Sequence, residues 1–340
     1  MFFAILSATL SATLSAPSGL LCELQRSPAL GVRTTPRFSW IVPACAHGSD
    51  HQQSAYQVIV ESINGTQVWD SGKVTSNDSI AVGYAGPPLA PGTKYTWTVT
   101  TWTVDGEGGT CASARSSPAV LVTALWDGWS SAAKFISIAS APTFGYFRKE
   151  LTVPAGVTSA LVFITAPLET PLLANYKLWV DGQLVDVGPG RGEAPVWGGD
   201  GTFRSLPYAT LDATTLFGKP AGATVAVALV AMHSRGASAM LQLQLTLADG
   251  SVRTICTDES WAAFDGDKHR NPGKPQHGGS AGTGFIEYID AREEPVGWKA
   301  AGFVPSSSWA SAIAAAPTSS QVGMLHAKME PPMQVYDVAV

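Results

Sequence analysis

Apolar and polar residues alternate along much of this chain, and the alternation is broken by glycine, proline, asparagine and aspartate. "SAYQVIV" at 54–60 predicts a strand. Asn64-Gly65-Thr66 is a hairpin signal, and "QVWDSG" after it reads as the return strand. "KYTWTVTTW" at 94–102 sets Tyr95, Trp97 and Val99 on one face and threonines on the other. "LWDGWSSAAKFI" at 125–136 breaks the pattern and reads as a linker. A second series follows: 144–153, 159–166, 176–187 with a turn at Asp181-Gly182, 223–232, and 241–255 with a turn at Asp249-Gly250. Long helices are absent, and only "SSSWASAIAAA" at 306–316 has helical propensity. The expectation is an all-β chain of two sandwiches.

Composition agrees. The 340 residues suit two domains, and 34 glycines and 23 prolines with only 14% charged residues suit many short strands joined by turns. A net charge of -5 with no basic run excludes a nucleic-acid or anionic-lipid footprint. Residues 1–16 are apolar and small, a candidate signal peptide that makes the chain secreted or extracellular. They lack a basic n-region and a clean A-x-A site, so a plain small-residue leader is the alternative. No other apolar stretch approaches the roughly 20 residues of a membrane span. Cys22, Cys45, Cys111 and Cys256 are too far apart for a zinc knuckle. One disulfide among the first three is open, as are buried thiols. Asn64-Gly-Thr66 and Asn77-Asp-Ser79 are glycosylation sequons, which matter if the chain is exported.

Several stretches offer chemistry. "GPGRGE" at 188–193 has the wrong glycine spacing for a dinucleotide loop and reads as a turn. His47 and His51 flank Gly48 and Ser49, which argues for a surface turn rather than a metal face. The loop 187–203 carries Trp197 and Asp200, and is expected to be ordered, whereas the loop 266–284 has no large apolar residue and is expected to be mobile. "IEYIDAREEPVGW" at 286–298 packs Glu287, Asp290, Glu293 and Glu294 around Arg292. Glycoside hydrolysis needs two carboxyl groups about 5–9 Å apart. Here Glu293 and Glu294 precede a proline and read as water-facing, and Asp290 with Arg292 reads as a structural ion pair.

"LAPGTKY" at 89–95 resembles the L-x-P-x-T-x-Y signature of fibronectin type III domains, where the tyrosine hydroxyl ties a corner of the sandwich. "CELQRSPALGVRTTPRFSW" at 22–40 resembles the opening of α-L-rhamnosidases of glycoside hydrolase family 78. "VWDSGKV", "FRKELTV", "LWVDGQLV", "YATLDATTLF", "LADGSVRTICTDESWAA" and "YIDAREEPVGW" continue that resemblance in order, over about residues 17–310. It implies a fibronectin III or Ig-like β-sandwich at 17–124 and a larger jelly-roll β-sandwich at 125–310, resembling a rhamnose-binding module, with 311–340 beginning a following domain or tail. In that family the jelly roll binds L-rhamnose in some members through calcium, and the catalytic carboxylates lie in an (α/α)6 barrel further on. Nothing in this sequence is helical enough to be that barrel, and "HSRGAS" stands where the family often has "GDGWY".

The resulting expectation is a carbohydrate-binding, rhamnosidase-like chain without the catalytic barrel, whose partner is a rhamnose-containing glycan. Trp197 is the candidate stacking platform, with Asp200, Asn175, Tyr176, His233 and Arg235 around it and Asp200 and Asn175 as candidate calcium ligands. The alternatives are the N-terminal part of an inverting α-L-rhamnosidase and a purely structural scaffold. The first expectation has a direct check: the purified chain releases no phenol from an aryl α-L-rhamnoside. Turnover that disappears in Glu287→Gln or Asp290→Asn, with the fold intact, would contradict it.

Overall fold

The computed structural model describes residues 15–44, 50–106, 108–167, 175–189, 205–233, 236–271, 288–315 and 324–328. Strands dominate it, as the alternation requires, and the chain divides into two units at Leu121 and Val122.

In the first unit, Gln52–Ser62 and Lys94–Val104 pair antiparallel along their whole length. They sit in a sheet ordered Ala29–Val32, Ala119–Thr123, Lys94–Val104, Gln52–Ser62, Gln67–Asp70. Val60 lies opposite Trp97 and Val58 opposite Val99, so the inward faces of both strands meet. Phe38 and Trp40, from Arg37–Ile41 in the other sheet, complete the core, with the Phe38 ring 4.5 Å from Trp97. Two β-layers thus bury one apolar face each, which is why period-two patterning suffices to specify them. The Asn64-Gly65 turn closes the expected hairpin, with Gly65 at φ 82°, a conformation that glycine adopts without strain. Tyr95, 5% exposed, accepts a hydrogen bond from the Ala90 N–H at 3.0 Å, and Leu89 beside it is buried. Cys111 is in a disulfide, while Cys22 and Cys256 are free and buried. Burial, then the Glu23 charge, pushes the Cys22 thiol well above its ordinary value.

In the second unit a six-stranded sheet runs Gln183–Pro189, Asn175–Val180, Thr224–Met232, Phe144–Thr152, Ala262–Asp265, Trp309–Ser311. A five-stranded sheet runs Val252–Cys256, Met240–Leu247, Val157–Thr165, Ser205–Asp212, Met324–Ala327, and only its last pairing is parallel. Phe147, Leu178, Val227 and Leu229 of the first share a core with Val162, Ile164, Leu211, Leu241 and Leu243 of the second. Both predicted turns are present, with Gly182 and Gly250 at positive φ. The stretch 125–136 is packed rather than free: Trp126 N–H donates to the Tyr208 hydroxyl at 2.9 Å, and Ser130 N–H donates to Gln242 at 2.7 Å.

The stretch 306–316 departs from its helical propensity. Trp309–Ser311 is an edge strand on Ala262–Asp265, and Ile313–Ala315 pairs with Phe135–Ser137. Backbone hydrogen bonds to waiting strand edges outweigh a preference worth a few tenths of a kcal/mol per residue.

The outer face of the six-stranded sheet is also covered. Tyr146 and Phe264 pack there with Trp298 and Trp309, and Trp179 and Phe303 join them. Polar groups are embedded in this aromatic layer. Arg148 is 4% exposed. Its Nε donates to the Trp298 carbonyl (3.0 Å), Nη1 to Phe303 O (3.2 Å), and Nη2 to Ala300 O (3.1 Å) and Glu150 Oε1 (2.7 Å). The start of the 266–284 loop is ordered, contrary to expectation. Gly266–Lys268 forms a 3-10 turn, and Arg270–Asn271 pairs with Tyr288–Ile289; residues 272–284 lie outside those described. Its charged and polar residues are held by aromatic partners that the local sequence does not reveal: His269 and Arg270 are each 6% exposed, and Arg270 stacks 5.1 Å from the Tyr146 ring.

Arg270 Nε can only donate, and it donates to the Tyr146 hydroxyl. The same hydroxyl shares a hydrogen bond with His269 Nε2 at 2.9 Å. Nδ1 is buried without a hydrogen-bond partner. Burial and then the Arg270 charge lower the His269 pKa, with Glu294, Glu293 and Asp290 opposing.

Two outcomes follow. Tyr95→Phe removes the corner bond to the Ala90 N–H, so it lowers stability by about 1 kcal/mol. An unchanged urea midpoint for the first unit would refute the corner's role. His269 is held neutral, so its contribution is complete above the unfolded-state value near 6.5 and is lost as pH falls through that value toward the lower folded one. Urea midpoints of the wild type therefore fall between pH 7.5 and 5.5, and His269→Gln flattens that slope. Parallel pH profiles would show that the imidazole is not responsible.

Candidate functional site

Of the residues singled out from the sequence, Asn175, Tyr176 and His233 lie at one end of the six-stranded sheet. Asn175 pairs with Met232 on one side and Pro189 on the other, and Tyr176 with Ala231 and Gly188. His233 is the next residue after the Thr224–Met232 strand. Asn175, Tyr176 and His233 are thereby brought to neighbouring strand ends, from which the stretches holding Trp197, Asp200 and Arg235 also depart in the sequence. Those three residues lie outside the described positions.

Tyr176 points inward. It is 1% exposed, and its hydroxyl donates to Asp186 Oδ2 at 2.6 Å. Burial, then the Asp186 charge and hydrogen bond, raises the Tyr176 pKa well above its ordinary value. Asp186 is equally buried, and its Oδ1 has no hydrogen-bond partner. Gly188 is required beside this pair, because a Cβ there would lie 2.8 Å from the Tyr176 hydroxyl oxygen. His233 is 2% exposed, and its N–H donates to the Thr143 carbonyl at 2.9 Å. Asp186 was not among the sequence candidates. The signal for it was a carboxylate inside the apolar run "LVDV", where a carboxylate is buried only with a partner.

Two carboxylates of "YIDAREE", Asp290 and Glu294, stand in ion pairs. Arg292 grips Asp290 through two bonds, Nε to Oδ1 at 2.8 Å and Nη2 to Oδ2 at 2.6 Å. Arg292 is largely exposed, so this expected pair adds little stability. Glu293 faces water as expected, but Glu294 does not. Its Oε1 accepts from the Trp298 indole N–H at 3.2 Å and lies 3.3 Å from Lys299 Nζ and 3.9 Å from Arg270 Nη2. Burial acts to raise the Glu294 pKa, but the indole and the two cations outweigh it and leave it lowered; the Arg292 hydrogen bonds lower that of Asp290. A glycosidase acid needs a raised pKa, so neither carboxyl is prepared for that role. Glu287 lies outside the described residues. Among the described residues no group of three or more His, Cys, Asp or Glu side chains is placed to hold a metal ion.

Comparison with known proteins follows the same division. Residues 17–127 match a family model described as the Rha78A-like, N-terminal immunoglobulin domain. Residues 204–337 match the alpha-L-rhamnosidase N-terminal domain. An alpha-L-rhamnosidase of Streptomyces avermitilis is 31% identical over 259 residues, covering 68% of this chain and 23% of that protein. One of Formosa agariphila is 26% identical over 295 residues, 77% of this chain and 30% of that protein. The structure of alpha-L-rhamnosidase from Dictyoglumus thermophilum superposes with a TM-score of 0.68 at 25% identity, over 94% of this chain and 36% of that one. An Aspergillus terreus rhamnosidase shares the fold with a TM-score of 0.67. The chain thus spans between about a quarter and a third of the length of these relatives. With both domain models matched in order, the chain is an N-terminal region of the α-L-rhamnosidase family, built from all-β sandwich domains.

Proposed function

We propose that the second unit binds carbohydrate, with rhamnose-containing glycans as the ligand class, at the sheet end defined by Asn175, Tyr176 and His233. One observation carries the reading: the register Pro189–Asn175–Met232 starts the loops 187–203 and 231–238 from adjacent strand ends. Both sheet faces are packed, so the strand ends are where an antiparallel sandwich has room for a ligand. Trp197 supplies an apolar face for the C–H surface of a pyranose, and Asp200 and Arg235 supply polar groups for its hydroxyls. The open Oδ1 of Asp186 adds a buried acceptor behind this end. The fold is read as a jelly roll of the rhamnose-binding kind, with Asp200 and Asn175 offered as oxygen ligands for calcium. The share of each relative that the chain covers favours a second reading beside it, in which this region belongs to a longer inverting α-L-rhamnosidase.

A small module with one stacking platform binds a single sugar at about millimolar Kd, near -4 kcal/mol. Titration of L-rhamnose into the wild type, followed by amide shifts, should show saturable binding. Trp197→Ala should abolish it with little change in melting temperature. Repetition with a chelator reads the calcium contribution. Equal binding by both proteins would refute the site, and no binding by the wild type would favour a scaffold.

A further inference from the structure

We propose that Asn77 carries an N-linked glycan whose first sugar seats in a groove of the first unit. This is independent of ligand binding by the second unit. The sequon Asn77-Asp-Ser79 lies on a segment pinned from both sides. Gln53 Nε2 donates to the carbonyls of Ser76 at 3.2 Å and Asp78 at 2.7 Å, the two residues flanking Asn77. The Trp40 N–H donates to the Ser79 carbonyl at 3.0 Å. Gln53 is itself held by the Trp40 indole N–H at 2.9 Å. With the backbone fixed inward, the Asn77 side chain stands exposed and makes no hydrogen bond among the described residues.

Asn77 also lines a groove of about 610 Å³, together with Val42, Pro43, Ala44, His51 and Gln52. The groove offers both things a pyranose needs. Val42, Pro43 and Ala44 give an apolar wall for its C–H face. His51 Nε2, buried and without a hydrogen-bond partner, awaits a hydroxyl or acetamido group. Asn64 provides the contrast. It is exposed in a tight hairpin turn, its Oδ1 already accepts from Ser62 Oγ and the Thr66 N–H, and it does not line this groove. The disulfide at Cys111 supplies an independent argument, because disulfides persist in the oxidising compartment where sequons are read.

The transfer balances with a polyprenyl-diphosphate-linked oligosaccharide as donor. A bond forms from Asn77 Nδ2 to the anomeric carbon, the bond from that carbon to the diphosphate oxygen breaks, and the Nδ2 proton leaves with the diphosphate. No oxidant or reductant is needed.

The test uses the full chain secreted from a eukaryotic host. Peptide mapping with a peptide N-glycosidase should convert residue 77 to aspartate in the wild type, and neither Asn77→Gln nor Ser79→Ala should show glycan there. Ser79→Ala keeps the asparagine, which guards against a folding effect of Asn77→Gln. Release of the Asn77 glycan by an endoglycosidase should be at least tenfold slower from native than from denatured protein, whereas any glycan at Asn64 is released at similar rates. An unmodified Asn77 in secreted protein overturns the proposal. Equal native and denatured release at Asn77 overturns the seat.

Discussion

Arg148 sits under the second unit's outer layer with almost no contact with water. A guanidinium cannot shed its charge, so burying one demands acceptors from every side. Three of them are main-chain carbonyls, those of Trp298, Ala300 and Phe303, and the fourth is Glu150. Such a set is available only if residues 298–303 close over the strand Phe144–Thr152 in one conformation. Glu150 reinforces it by accepting the Gly302 N–H at 2.9 Å. The Gly182 N–H, at the hairpin turn, donates to Lys299 O in the same segment at 2.8 Å. The buried ion thus specifies a loop rather than merely adding stability. Loss of Arg148 would strand three carbonyls as well as a carboxylate.

That closure places Trp298 and so organises the rest of the layer. The Tyr146 ring lies 4.7 Å from Trp298, and the Trp179 ring lies 5.6 Å from it. Glu294 reaches back to the same indole and to Lys299, which stands over the Trp179 ring. The strand Phe144–Thr152 therefore serves both faces: Phe147 enters the core between the sheets, while Tyr146, Arg148 and Glu150 hold the outer cover. Of the charges in "YIDAREE", Glu294 belongs to this cover. At the sheet's end, the register sets Asn175 between Met232 and Pro189.

Much of this was legible in the sequence because strands and turns are local. Alternation set Tyr95, Trp97 and Val99 inward, and each pair of residues at Asp181-Gly182 and Asp249-Gly250 announced its turn. The Leu89-x-Pro91-x-Thr93-x-Tyr95 spacing announced the corner, since the bond it forms spans five residues. The Asp290–Arg292 pair was equally local, two residues apart.

Other features depended on partners that the local pattern does not reveal. The stretch 306–316 is rich in alanine and serine, yet the open edge at Ala262–Asp265 draws it into a strand. His269 and Arg270 stand in a stretch without large apolar residues, and hydrogen bonds to Tyr146, 123 and 124 positions earlier, help to hold them in the buried layer. Glu294 precedes a proline like any surface acid, but Lys299, Arg270 and the Trp298 indole turn it inward. Asp186 looks like an interruption of a strand until the register, which pairs it with Leu178 and pairs Tyr176 with Gly188, sets Tyr176 diagonal to it and within hydrogen-bond reach. The sequence by itself determined the all-β class, the hairpins and the family, because period and turn chemistry act over a few residues. Only the tertiary structure decided which charges are buried, because a charge leaves water only where distant chain segments supply its counter-ions and hydrogen bonds.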